Sequence, residues 1–190
     1  MITTTEPQRS QDALRFALRE ETRSDHADSE AAFDRFDVAS RDGLRNFLSA
    51  QHIAIESLSE VYPDELPCGL NFDGILGELK SDICSLGGPG PLPTLAFSHM
   101  NHSLGVVYVL AGSHLGSKLL LQRVKNSAET QSVAAHAYLK NNHLPEVWKK
   151  FLSVASSQNW VDDRSAIVSS AKQTFTLFRQ SADWVRREYV

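Results

Sequence analysis

Apolar residues recur along most of this chain at intervals of three and four positions, the spacing of one face of an α-helix. The clearest stripe lies in residues 41–62 and ends at Pro63. Its apolar positions are Leu44, Phe47, Leu48, Ile55, Leu58 and Tyr62. A second helix is predicted over residues 73–86, before the glycine–proline break at residues 87–91. Since no strong alternating strand pattern occurs, the prediction is an all-α helical bundle.

Two further patterns lie before and after these helices. One helix is predicted from about Ser10 toward Ser24, and residues 25–36 either continue it or form a second helix. A long helix is predicted from Thr94 to about Lys125. Three glycines weaken its pattern, because each costs roughly 1 kcal/mol against alanine inside a helix. They are Gly105, Gly112 and Gly116.

The C-terminal part predicts two short helices, over residues 134–139 and 145–155, and a long last helix over 162–188. Asp162 or Asp163 is the predicted cap of the last helix. Its inward-facing positions are predicted to be Ile167, Ala171, Phe175, Phe178, Ala182 and Val185.

Length and composition are those of one ordinary globular domain. The 190 residues, 42% hydrophobic and 22% charged, predict a single domain over residues 10–190 after a flexible N-terminus at residues 1–9. The net charge of −4 argues against a nucleic-acid partner. Without a run of 18 apolar residues or a signal-peptide pattern, no membrane partner is expected. Two cysteines, Cys68 and Cys84, favour reduced thiols and a cytoplasmic location.

The first candidate chemistry is a histidine one helical turn before a glutamate. His26 and Glu30 share a helix face, so the imidazole could ligate a metal through one nitrogen while the carboxylate orients the ring. The alternative is a solvated surface pair. The same spacing occurs at His52 and Glu56, so spacing alone does not decide between the two.

A row of arginines leads toward His26. Arg15, Arg19 and Arg23 stand four residues apart on one helix face. Guanidinium groups pair well with carboxylates, so the row could bind an acidic ligand at the rim of a pocket. The alternative is a solvated face balanced by neighbouring acidic residues.

The second candidate segment is the glycine-interrupted helix. Gly112 and Gly116 lie four residues apart and therefore on one face. Close helix–helix packing is one explanation, and a flat ligand lying directly on the backbone is the other.

The sequence does not favour two other metal arrangements. His99, His102 and His114 are spaced so that all three would not share one helix face. A di-iron site requires Glu-x-x-His pairs, and the sequence contains none.

Taken together, the two candidate segments carry a family resemblance. LREETRSDHADSEAAF, residues 18–33, resembles the proximal segment of heme oxygenases. GVVYVLAGSHLGSKLL, residues 105–120, is similar to the distal-helix signature of the bacterial branch, with its YVL-x-GS-x-LG core. Residues 148–152 and 171–184 are similar to the C-terminal pattern of members associated with bacteriophytochromes. The resemblance runs from about Leu14 to Trp184 and implies a single-domain heme-oxygenase-like bundle.

For the proximal side, the resemblance implies His26 as the ligand of the heme iron and Glu30 as the carboxylate near it. Arg19 and Arg23 match basic positions near the heme edge. Lys149 is a further candidate for contact with the propionates, and Phe175 for contact with the heme edge.

For the distal side, the resemblance implies that Gly112 and Gly116 approach the heme face. Ser113 stands where animal members carry an aspartate that organises distal water, which leaves the proton-delivery network undefined. The chain also departs from the family pattern at Ala111, often glutamate, and at Ser117, often glycine.

The implied activity is O2-dependent cleavage of heme to biliverdin, CO and Fe²⁺, with heme as both cofactor and substrate. The implied partners are an external electron donor, such as a reductase or ferredoxin, and a bacteriophytochrome that accepts biliverdin. The alternative is a non-catalytic heme-binding or sensory protein of the same fold.

Overall fold

The computed structural model describes residues 13–88, 90–98, 100, 102–133, 135–157 and 159–190. Helices make up 72% of the structure and the described residues contain no β-strand, which confirms the all-α prediction. The predicted flexible segment 1–9 lies outside the described residues.

The described residues form eight α-helices and three short 3-10 turns. The helices are α1 Ala13–Glu21, α2 Arg23–Phe33, α3 Arg41–Val61, α4 Phe72–Ser85, α5 Leu104–Ser113, α6 Ser117–Asn126, α7 His143–Ser157 and α8 Arg164–Tyr189. The 3-10 turns are Pro67–Gly69, His114–Gly116 and Tyr138–Lys140.

Polar caps fix where several helices begin. Ser40 Oγ accepts the Gly43 N–H at 3.0 Å ahead of α3, and the Asn71 side chain accepts the Asp73 N–H at 2.8 Å ahead of α4. Such caps stabilise a helix by about 1 kcal/mol. Asp163 holds the N-cap position of α8, as one of the two predicted candidates, but its side chain makes no capping hydrogen bond there.

The long helix α8 lies at the centre of the bundle, with α2, α3 and α5 packed against it. All six of its predicted inward-facing residues are buried, and so are the six predicted apolar positions of residues 41–62. The periodicity of these segments therefore predicted their core faces correctly, since a helical stripe must be buried against another element.

The first predicted helix is divided in two. Helix α1 ends at Glu21 and α2 begins at Arg23, so the second of the two sequence alternatives is the observed one. Between them, the Thr22 hydroxyl donates to the Leu18 carbonyl at 2.7 Å. A side chain that bonds the backbone in this way competes with the regular helical ladder.

The prediction of a helix from Thr94 was wrong for the described part of residues 94–103. Helix α5 begins at Leu104, and the described part of residues 94–103 is not helical. Ser57 of α3 and Tyr62, the residue that follows α3, hold that segment instead: the Leu95 N–H donates to Ser57 Oγ at 2.8 Å and the Met100 N–H donates to Tyr62 Oη at 2.9 Å. These tertiary hydrogen bonds replace the helical ones.

The predicted helix over residues 134–139 is wrong in its described part, where only the 3-10 turn Tyr138–Lys140 forms. The buried Asp82 carboxylate of α4 accepts the N–H groups of Ala137 at 3.0 Å and Tyr138 at 2.9 Å. That interaction satisfies backbone donors without a helix and ties the turn to α4.

One helical run passes a membrane-span test by length and composition. The continuous run Leu104–Asn126 has a mean hydropathy of 1.4 in its most apolar window, and 50% of that window is buried inside the fold. A core helix of a folded domain passes the same test, so the absence of a membrane partner stays a prediction.

Gly105 explains how α5 approaches α8. A Cβ at this position would lie 2.3 Å from the Ile167 carbonyl oxygen and 2.6 Å from the Ala171 nitrogen. Both are backbone atoms of α8, which no rotamer change can move aside. At this glycine the helix-packing explanation is the correct one.

Gly105→Ala should lower the free energy of unfolding by about 1–3 kcal/mol, because α5 must move away from α8. Gly77→Ala on α4 is the matched control: its Cβ would meet no atom within 4 Å. That change should raise stability by up to about 1 kcal/mol through helix propensity. Chemical denaturation of both variants measures the difference, and equal effects would contradict the packing role.

Candidate functional site

Two adjoining cavities lie beside the junction of α5 and α6. One has a volume of about 250 Å³ and the other about 420 Å³. Four residues line both: His26, Val109, Ser113 and Phe175. Together they form one cleft within the range of about 300–1,000 Å³ that is typical of small-molecule sites.

The two cavities differ in chemistry. The smaller one, here the aromatic cavity, is lined by Phe33, Phe36, Phe47, Phe178 and Tyr138 among others. The larger one, here the arginine cavity, is lined by Arg15, Arg19, Arg23, Tyr108 and Trp148 among others. The cleft therefore suits a ligand that is flat and apolar over most of its area and anionic at one edge.

His26 stands where the two cavities meet. Its side chain is 56% exposed, and its Nδ1 lies 3.8 Å from Glu30 Oε2, too long for a hydrogen bond. The ring meets Phe175 edge-on with centroids 5.5 Å apart. Among the described residues no group bonds Nε2, so this nitrogen is free to ligate a metal.

The second His–Glu pair has a different environment. His52 is buried and lines neither cavity, with its Nε2 3.6 Å from Glu56 Oε2. Burial lowers the pKa of His52 and keeps the ring neutral. The two His–Glu pairs have the same spacing in the sequence, so the sequence could not tell them apart. The difference between His26 and His52 is that only His52 is buried.

The arginine row divides into free and paired members. Arg23 Nη2 lies 2.6 Å from Glu20 Oε2, so its charge is already matched. Arg15 and Arg19 make no ion pair within the described part of the chain. Their charges act on Tyr108, whose pKa is raised by burial and lowered in part by these two cations. Arg15 and Arg19 are therefore the stronger candidates for an anionic ligand.

The two glycines of the junction have different neighbours. A Cβ on Gly112 would lie 3.3 Å from Trp148 Cζ3, a close contact with a half-buried ring. A Cβ on Gly116 would meet no atom within 4 Å, and Gly116 lines the aromatic cavity. Packing against Trp148 is therefore one reason for a glycine at Gly112. Gly116, by contrast, leaves open space beside the backbone.

Ser113 lies between these glycines and lines both cavities. Its hydroxyl donates to the Leu110 carbonyl of its own helix at 2.9 Å. The helix then tightens into the 3-10 turn His114–Gly116, and such a turn inside a helical run often marks a functional site.

Lys149 is not brought to the cleft. It lies on the exposed side of α7, where its Nζ is 2.6 Å from Glu146 Oε1, and it lines neither cavity. Phe175, by contrast, lines both cavities and packs against His26, as a contact residue would.

Sequence reasoning missed several residues of the cleft, namely Gln51, Tyr108, Arg123, Tyr138 and Trp148. They come from α3, α5, α6, the turn before α7, and α7 itself, and no shared motif marks them. Their only common property is position in the fold.

Protein side chains alone do not assemble a metal site in the described part of the chain. No three or more His, Cys, Asp or Glu side chains come together there. A metal at His26 would need its other ligands from a bound group or from solvent.

The sequence matches no protein-family model, and no curated protein matches it. What the cleft binds must therefore be inferred from its own chemistry.

Gly116→Leu should leave the melting temperature of the ligand-free protein unchanged or slightly higher, because its side chain enters open space and replaces a poor helix former. Gly112→Leu should lower the melting temperature, because the side chain collides with Trp148. Thermal melts of the two variants test this difference. A large loss of stability in Gly116→Leu would show that this glycine serves packing.

Proposed function

We propose that the cleft binds heme and that the protein is a heme oxygenase, cleaving heme to biliverdin, CO and Fe²⁺ with O2 and electrons from an external donor. The observation that carries the proposal is the place of His26. His26 lines both the aromatic cavity and the arginine cavity, and residues of the glycine-bearing helix junction line both as well.

The residues of the cleft suit heme in three respects. The aromatic rings suit a flat apolar macrocycle. Arg15 and Arg19, which have no carboxylate partner in the described chain, suit two propionates. A single free histidine suits an iron whose other ligands come from the porphyrin and from solvent or O2.

Each residue would have a distinct task. His26 would hold the iron through a neutral nitrogen, and Glu30 would orient the ring from the Nδ1 side. Arg19 and Arg15 would fix the acidic edge and thereby the rotation of the macrocycle. Gly116 and Ser113 would leave room for a small molecule beside the backbone.

When bound, heme supplies the redox-active iron and the carbon atom that is oxidised, and the protein supplies orientation. The electron donor would be a reductase or ferredoxin, and a bacteriophytochrome would accept the biliverdin. A cytoplasmic location belongs to the same proposal.

One observation favours the alternative of a non-catalytic heme-binding or sensory protein. Ser113, at the position of the animal aspartate, directs its hydroxyl proton to Leu110 rather than to the cleft. Adding heme and then a reductant under air separates the two functions. A heme oxygenase should lose the Soret band and gain a biliverdin band, whereas a binding protein should keep the Soret band.

His26→Ala should abolish the histidine-ligated heme spectrum and weaken heme affinity by at least about tenfold, or 1.4 kcal/mol. The reason is that, among the described residues, no second histidine lines the cleft. His143→Ala is the control, because His143 is exposed at the start of α7 and lines neither cavity. Identical spectra for the two variants would refute the ligand assignment.

Arg19→Glu should weaken heme binding about five- to tenfold and increase the mixture of biliverdin isomers, since it repels a propionate. Arg23→Glu should have a smaller effect, because Arg23 is already paired with Glu20. Heme titration and chromatography of the products measure both. If Arg23→Glu has the larger effect, the carboxylate contact has been assigned to the wrong arginine.

A further inference from the structure

Two large apolar side chains are exposed at the opening of the cleft. Leu115 and Leu119 are 61% and 66% exposed, more than any other leucine, isoleucine or phenylalanine that the structure describes. Leu115 lines the arginine cavity and Leu119 lines the aromatic cavity. The two leucines therefore form an apolar rim beside the cleft.

Few contacts hold α6 against the rest of the fold. Of its ten residues only Ser117 and Val124 are buried, and its main neighbour outside its own helical run is the turn Tyr138–Lys140. Leu115 and Leu119 lie one helical turn apart and share the exposed face. The core of the fold does not account for these leucines, and neighbouring exposed apolar side chains of this kind mark an interaction site.

The charge of this face is positive, although the whole protein has a net charge of −4. No acidic residue occurs within residues 83–128, and Lys118, Arg123 and Lys125 all occupy exposed positions of α6. Arg123 lies 3.9 Å from Asp37, whereas Lys118 and Lys125 make no ion pair within the described part of the chain. Exposed leucines flanked by lysines are typical of a helix that lies in the plane of an anionic membrane surface.

We propose that the exposed face of α6 docks on an anionic lipid membrane, with Leu115 and Leu119 at the acyl boundary and Lys118 and Lys125 at the headgroups. The expectation of no membrane partner was based on the absence of a membrane-spanning segment, and a peripheral contact needs none. Cytoplasmic leaflets carry anionic lipids, so this contact agrees with the proposed cytoplasmic location.

Two other occupants fit this face less well. A second copy of the chain would bring the same patch against itself, and the lysines of two α6 helices would repel because neither helix has an acidic residue to pair with them. An acidic protein would need a groove shaped to receive the leucines of a helix. A bilayer offers apolar and anionic surface without such a groove.

The place of this contact matters for the ligand, because Leu115 and Leu119 also line the two cavities. An apolar ligand dissolved in the membrane could enter the cleft beside them without crossing water. The use of the contact for heme uptake rests on the proposed function, whereas the docking itself does not.

Co-sedimentation of the ligand-free, full-length protein with lipid vesicles tests the docking. Vesicles of phosphatidylcholine with phosphatidylserine should bind the protein more strongly than pure phosphatidylcholine, and added salt should reduce the binding. Leu119→Ser should weaken binding about fivefold or more, because it removes an apolar side chain from the acyl boundary. Val161→Ser is the control, because Val161 is 72% exposed but lines neither cavity.

Lys118→Gln tests the electrostatic part of the contact and should weaken binding about fivefold. Lys172→Gln removes the same charge from an exposed position of α8 that lines neither cavity, and it should have little effect. Equal losses in the two variants would mean that only net charge matters, which contradicts docking through α6.

Failure of the wild type to bind anionic vesicles would overturn the proposal, and so would unchanged binding by Leu119→Ser. Analytical ultracentrifugation adds a separate check: a dimeric wild type together with a monomeric Leu119→Ser would identify the face as an interface between copies and refute membrane docking. Because no heme is present in these measurements, a failure of heme binding would leave them interpretable on their own.

Discussion

The backbone contact between α5 and α8 at Gly105 holds together the two helices that carry Val109, Ser113 and Phe175 to both cavities. With no side chain there, α5 lies directly on the Ile167 carbonyl and the Ala171 nitrogen. About one and two turns beyond Ala171, the same helix α8 presents Phe175 and Phe178 to the cleft, while α5 continues into Ser113 and the 3-10 turn. The distance between these two helices therefore sets the space in which a ligand could lie.

The apolar and cationic surfaces of the cleft lie in different cavities, so the cleft favours a ligand with one apolar and one anionic part. Aromatic side chains from four different elements surround one cavity, and two arginines of α1 with no ion pair among the described residues line the other. His26 belongs to both, with its ring against Phe175. A metal-bearing, flat and doubly acidic molecule satisfies all three surfaces at once, which is the physical basis for proposing heme.

The polar contacts at the aromatic cavity join residues that lie far apart in the sequence. Asp82 on α4 accepts the Tyr138 N–H, and the Tyr138 hydroxyl donates to Gln51 on α3. The two residues that flank Gly112 and Gly116, Ala111 and Ser117, have different surroundings. Ala111 is buried apolar surface, whereas Ser117 is hydrogen-bonded and faces the cavity.

The sequence by itself determined the helical class, the buried faces of α3 and α8, and the proximity of Glu30 to His26, because these depend on local periodicity. Only the tertiary structure decided the rest. Asp82 and Ser57 accept backbone N–H groups at Tyr138 and Leu95, where the sequence predicted helical bonds. Burial separated His26 from His52. The three glycines look alike in the sequence, yet one meets backbone, one meets Trp148 and one meets open space. Periodicity reports which face a residue occupies, but what lies opposite that face is set by elements distant in the chain.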